Sequence, residues 1–388
     1  MDASPAERFA GSEEALHEEA SRATGLEDFG DPTYHGALGV LLESLDRDAD
    51  LSETGRMIFR GQLVNTLANR LRSQRWLDDR PEVGAVEIRR PIVITGLVRT
   101  GSTALHYLMG QDPGLQALPY WLAAHPQPRP PRQEWEDSTG FRASAAELAF
   151  LYDNAPDLMA VHEMRADWPE ECRHLLEQSF VDDRFEVAAT LPTYARWYHE
   201  TRHLEAYRLH RRLVQLIGST DPERRWLLKY PVHLRQLPSL LAVYPDACIV
   251  QTHRDPCAVI ASYTSFVSKI RALHENAVDV PALARELVES WAHAAEAGMA
   301  ARDAHGDEGR FVDVYFDDFM ADPIGSVRRI GRRVDHELSE EAERRLAAWQ
   351  AEHPQGKHGR HVYDAERTGV SEAEIRDRFG AYLQRFGL

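Results

Sequence analysis

The segment Thr95 to Thr103 reads T-G-L-V-R-T-G-S-T and sits between the apolar run Pro91, Ile92, Val93, Ile94 and the apolar stretch Ala104 to Met109. A strand, a glycine-rich loop and a helix in that order restrict the chain to folds that deliver a strand into a helix N-terminus, where backbone N–H groups and the helix dipole gather around an anion. Gly96 and Gly101 keep the four-residue gap of the nucleotide-binding loop G-x-x-x-x-G-K-[ST]. The lysine of that pattern is missing: Ser102 stands in its place, and the cation lies inside the loop as Arg99. A turn whose glycines only relieve crowding would account for the spacing. It would not account for Thr100, Ser102 and Thr103 clustered beside Arg99, because hydroxyls and guanidinium groups are costly to bury unpartnered and a single anion satisfies them together.

The rest of the chain supplies the layers such a loop needs. Leu38, Leu41, Leu42 and Leu45, then Phe59, Leu63, Leu67 and Leu71, recur at helical spacing and predict an N-terminal helical layer over 1–88. The strand-loop-helix unit occupies 89–125. P-Q-P-R-P-P-R at Pro126 to Arg132 excludes regular structure and opens a loop and helical region over 126–222, read as the acceptor side, with the proline-rich loop near the site entrance. Three further strands are expected at Trp226 to Leu228, Ala247 to Thr252 and Phe311 to Phe316, within a half that runs over 223–388. Each is short, apolar and bounded by turn signals, as in buried parallel strands. The expected fold is therefore α/β: a P-loop-like central parallel sheet flanked by helices, with ligands beyond the carboxyl ends of the strands.

Composition narrows the function. A formal charge of -17 over 388 residues argues against nucleic acid as a partner, because phosphate-backbone binding requires a basic face. No apolar run reaches the length of a membrane span. The N-terminal M-D-A-S-P-A-E-R is acidic and lacks the apolar segment of a secretory signal, so a cytoplasmic location is expected. Cys172, Cys248 and Cys257 are odd in number and widely spaced, giving neither a disulfide framework nor a metal-ligand pattern, and they are read as core residues. Of 45 basic residues only Lys229, Lys269 and Lys357 are lysine, which singles them out in a chain whose default cation is arginine.

A second strand, polar break and helix spans Ile249 to Ser262, I-V-Q-T-H-R-D-P-C-A-V-I-A-S. Asp255 and Pro256 form a helix cap and first-turn pair. Arg254 thus leaves the strand end, with Ser262 about two helical turns along. A phosphate between them explains both residues; a capped helix with an Arg254–Asp255 ion pair is the plainer alternative.

The loop around Arg99, the Arg254 and Ser262 pair, and the late G-K-H-G-R at Gly356 to Arg360 together resemble the donor site of sulfotransferases that use 3′-phosphoadenosine 5′-phosphosulfate (PAPS). The similarity is closest to a bacterial branch reading L-K-x-P-x-H-L ahead of H-R-D-P, matched by Leu228 to Leu234. It also takes in Asp112-Pro113, Pro169-Glu170-Glu171 and Asp322-Pro323. The resemblance implies that Gly96, Arg99, Thr100, Gly101, Ser102 and Thr103 hold the 5′-phosphosulfate. It implies that Arg254, Ser262, Lys357, Gly359 and Arg360 hold the 3′-phosphate, with adenosine 3′,5′-bisphosphate (PAP) as product. Three positions depart from the pattern: Val98 where proline is usual, Phe316 where tyrosine is common, and Leu122 where glutamate is frequent.

Sulfuryl transfer needs in-line geometry and charge stabilisation on the leaving oxygen more than covalent help from the protein. Arg99 and Lys229 are expected to stabilise the leaving group. His233 is the first candidate for the base that takes the proton of an acceptor hydroxyl, with Glu170 or Glu171 next and His125 and His162 behind them. No carboxylate cluster follows the loop, so no metal is called for. A kinase or nucleotide hydrolase built on the same loop would need the absent lysine and a magnesium site, and a catalytically silent nucleotide-binding protein is the other alternative. The aromatic residues of the helical region suit a small-molecule or lipid-like hydroxyl acceptor or ordinary packing, and the sequence leaves self-association open.

Overall fold

The computed structural model describes residues 8–154, 159, 163–353 and 368–388. Helices α1 (Glu13–Thr24), α2 (Tyr34–Arg47) and α3 (Glu53–Asp79) form the N-terminal layer. The leucines and phenylalanine whose spacing predicted them are buried in the core. Ser52 starts α3 by accepting a hydrogen bond from the Gly55 amide, satisfying one of the open donors of the first turn.

Five parallel strands follow: β1 (Ile92–Gly96), β2 (Leu115–Ala117), β3 (Arg225–Lys229), β4 (Cys248–His253) and β5 (Phe311–Tyr315), ordered β2-β3-β1-β4-β5. Strand β1 is central and buried along its whole length, which is why its sequence is a continuous apolar run rather than an alternating one. Ile94 is level with Lys229 on one side, and Gly96 with Thr252 on the other. All the strands point the same way. The loop after β1, the turn after β3, Arg254 after β4 and Phe316 after β5 therefore share the carboxyl edge of the sheet.

The structure departs from the expected strands in two places. Edge strand β2 was not anticipated, because L-Q-A is too short to carry periodicity and is fixed by pairing with β3. Strand β5 ends at Tyr315, and Phe316 opens the helix Phe316–Ala321. Among the described residues no helix is long and apolar enough to cross a membrane.

Candidate active site

The loop after β1 closes tightly on β4. Gly96 has φ +142°, and a Cβ there would lie 2.3 Å from the Thr252 carbonyl oxygen, so no side chain fits. Gly101 has φ +81° and precedes helix α4 (Ser102–Met109), and a Cβ there would lie 3.1 Å from the Phe316 ring. Thr100 Oγ1 donates to the Leu97 carbonyl at 2.7 Å and lies 2.6 Å from Thr252 Oγ1, which stitches the loop to the neighbouring strand. Thr252 is a loop-anchoring residue that sequence reasoning missed. Its signal is its place two residues before Arg254, level with Gly96.

Between these anchors Arg99 adopts a left-handed backbone, φ +60°, which is uncommon for a residue with a Cβ and costs of order 1 kcal/mol. The carbonyl freed by that turn accepts a hydrogen bond from Arg254 Nη1 at 2.9 Å. Arg99 Nε in turn donates to Ser262 Oγ at 3.2 Å. The Arg254 guanidinium lies 4.0 Å from the centre of the Phe316 ring, so phenylalanine supplies the stacking face at the position where tyrosine was expected. Burial, and then the neighbouring Arg254 charge, lower the Arg99 pKa. Two neighbouring like charges, one of them bonded to a serine hydroxyl, form an arrangement that an anion relieves.

Asp255 accepts from the Cys257 amide at 2.8 Å and caps the helix Pro256–Arg271 that carries Ser262. Its ion pair runs to Arg376 rather than to Arg254, which sets aside the plainer reading of that segment.

The cradle's other flank is built by Lys229 at the end of β3. Its ammonium is almost fully buried, donates to Thr103 Oγ1 at 2.9 Å, and pairs with a Glu171 carboxylate oxygen. Glu170 lies beside it, buried, with Oε1 accepting from the Glu171 amide at 2.9 Å. Burial, and next the Glu171 charge, push the Glu170 carboxyl up to about 7. Beneath the loop, burial and the Lys229 charge hold His106 neutral, with its pKa lowered to about 3.

Gly96, Arg99, Thr100, Gly101, Ser102, Thr103, Lys229, Arg254 and Ser262 thus meet at one edge of the sheet, with Glu170 and Glu171 adjoining. His233 does not join them. It is fully buried, its Nδ1 lies 2.7 Å from Tyr207 Oη, and its ring packs against His210 and Tyr230. Burial, and then His210, hold its pKa well below the usual value. Leu122 is wholly buried in the core and offers no substitute for an acceptor-side glutamate. Lys357, Gly359, Arg360 and His162 lie outside the described residues.

A parallel sheet whose central strand ends in a glycine-rich loop and a helix N-terminus, flanked by an arginine–serine pair and a buried lysine, is a P-loop-like α/β fold. Residues 91–340 match the model of the Sulfotransferase family, and the chain belongs to that family. Among solved structures it is similar to sulfotransferase STF1 from Mycobacterium tuberculosis H37Rv, with 37% identity and a TM-score of 0.88 over 96% of this chain and 100% of that one. It is also similar to sulfotransferase STF9 from Mycobacterium avium, with 26% identity and a TM-score of 0.90 over 100% and 99% of the two chains. No curated protein matches the chain.

Proposed function

We propose that this sulfotransferase takes its sulfuryl group from PAPS and passes it to a hydroxyl of a small-molecule or lipid-like acceptor. The observation that carries the reading is the convergence of Arg99, Arg254 and Ser262. They give the cradle a second anion position beside the loop, which a donor with phosphates at both its 3′ and 5′ sides uses and a nucleoside triphosphate does not. When bound, PAPS supplies an activated sulfuryl group whose departure leaves charge on the 5′-phosphate.

The chain's own residues then divide the work. The loop amides and the α4 N-terminus bind the 5′ side, and Arg99 opposes the charge that develops there. Lys229, held by Thr103 and Glu171, sets an ammonium on the transfer side of the cradle. Arg254 and Ser262 anchor the 3′ side, with Lys357, Gly359 and Arg360 as further contributors. Glu171 serves as the base rather than His233: it touches Lys229 and keeps 19% side-chain exposure, whereas His233 is committed to Tyr207. Glu170 orients Glu171 through its backbone amide.

Transfer of label from ³⁵S-PAPS to a panel of alcohols, phenols, sterols and glycans tests this. Labelled ester should form with release of PAP, and excess PAP but not ATP should inhibit. Inhibition by ATP in preference to PAP would return the site to the kinase class. In the same assay Glu171→Gln should lose most of the turnover, and full activity in that variant would remove the glutamate from the base role.

A further inference from the structure

Cys172, His210 and His233 come from three separate segments, and each is fully buried. One ring nitrogen of each histidine and the Cys172 sulfur lie within 4.8 Å of one another. The two histidines are prepared in the same way. His233 Nδ1 is 2.7 Å from Tyr207 Oη, and His210 Nδ1 is 2.8 Å from Tyr244 Oη. Both Nε2 atoms are buried without a hydrogen-bond partner, which leaves Nε2 as the coordinating nitrogen of each ring. A polar ring atom orphaned in the core is costly, and two beside one thiol are costlier still. If each tyrosine oxygen accepts the Nδ1 proton, Nε2 becomes a bare lone pair. That is the tautomer in which a metal-bound histidine donates its other N–H to an outer partner.

We propose that Cys172, His210 and His233 bind one zinc ion through Sγ and the two Nε2 atoms, with a water completing the tetrahedron. Two nitrogens and one sulfur are a borderline-soft set that suits zinc and disfavours magnesium or calcium. Bond lengths of about 2.0–2.1 Å to nitrogen and about 2.3 Å to sulfur bring ligand atoms to roughly 3.3–3.6 Å apart, so atoms that now lie within 4.8 Å of one another close by about 1.5 Å at most when the site is loaded. Binding releases the thiol proton to solvent and leaves one net positive charge. Glu170 and Glu171, whose charges reach Cys172, oppose it.

The position gives the ion a structural role beside the catalytic edge. Cys172 follows Glu171 directly, and its amide donates to the Lys229 carbonyl at 2.9 Å. His233 lies four residues after Lys229 on the 3₁₀ turn Pro231–Leu234. An ion shared by these segments and the helix Leu204–Gly218 clamps the Lys229–Glu171 pair from behind. His233 is then a ligand rather than a base.

The test uses full-length protein purified without chelator from zinc-supplemented cells, its metal content measured by mass spectrometry, and the same protein depleted and reloaded with cobalt(II). About one equivalent of zinc is expected, with a thiolate-to-cobalt charge-transfer band and a fall in melting temperature on chelation. Cys172→Ser should abolish the band, and His210→Gln should lower zinc content at least about tenfold. Folded wild-type protein with less than about a tenth of an equivalent and no charge-transfer band overturns the proposal. So does cobalt binding without that band, which would place the ion at the thiol-free surface group of Glu13, His17 and His35. The wild-type spectrum decides the matter even if a variant fails to fold.

Discussion

Arg254→Ala isolates the second anion position. In the structure one guanidinium N–H is used on the Arg99 carbonyl at 2.9 Å, and the plane is fixed 4.0 Å over Phe316. Most of the five donors of an arginine therefore remain to engage a phosphate, on a guanidinium held by these two contacts. A hydrogen bond to a charged group contributes about 1.5–3 kcal/mol. Losing one well-placed contact, with some relaxation of the left-handed Arg99 backbone, should cost about 2–3 kcal/mol. That corresponds to a rise of roughly 30- to 150-fold in the Kd of PAP. AMP lacks the 3′-phosphate and should lose less than about threefold, through Arg99 alone. Isothermal titration of both nucleotides against wild type and variant measures the difference directly. Equal losses for PAP and AMP would mean that Arg254 only braces the loop, and the two-phosphate reasoning would fail.

Other perturbations separate binding, catalysis and folding. Lys229→Met should reduce single-turnover transfer by about 10²–10³ while PAP affinity changes less than about fivefold, and a parallel fall in both would make Lys229 a binding residue only. Gly96→Ala forces a Cβ against the Thr252 carbonyl and should destabilise the protein by at least about 3 kcal/mol. Gly61→Ala meets nothing within 4 Å on helix α3 and should stabilise by about 0.5–1 kcal/mol in urea melts; the reverse order would contradict the loop geometry. Burial raises the Asp313 carboxyl, but hydrogen bonds from His253 and Arg302 outweigh it and bring the pKa down to about 2 from 3.8. A depressed folded pKa stabilises above the unfolded value, so about 2 kcal/mol should be present at pH 6 and vanish as pH falls from 4 towards 2. The stability gap between wild type and Asp313→Asn should close over that window, and a gap independent of pH would show that the carboxylate's charge is not involved.

The residues legible in the sequence are those whose roles are local. Gly96 through Thr103 announce a strand-to-helix cradle because the backbone there needs glycine and the helix needs a start, and both constraints act within a few positions. Asp255 and Pro256 mark their helix for the same reason. Apolar periodicity identified α2 and α3 because one face of each must be buried. What depends on chains meeting in space was not legible. Strand β2 exists only through its pairing with β3. His233 looks like a base in sequence because it follows Lys229 closely, yet the 3₁₀ turn directs it to Tyr207 and His210. Cys172 looked like an ordinary core residue because its histidine neighbours are 38 and 61 positions away. Phe316 read as a departure from pattern, and only the fold shows it under Arg254.

The claim on which the account rests is that the cradle recognises two phosphates on one nucleoside. Wild-type affinity for PAP and for AMP, measured side by side by calorimetry at one ionic strength, tests it most directly. The account predicts that PAP binds at least about 10-fold more tightly, the contribution of one charged phosphate contact. PAP binding no more tightly than AMP would contradict it.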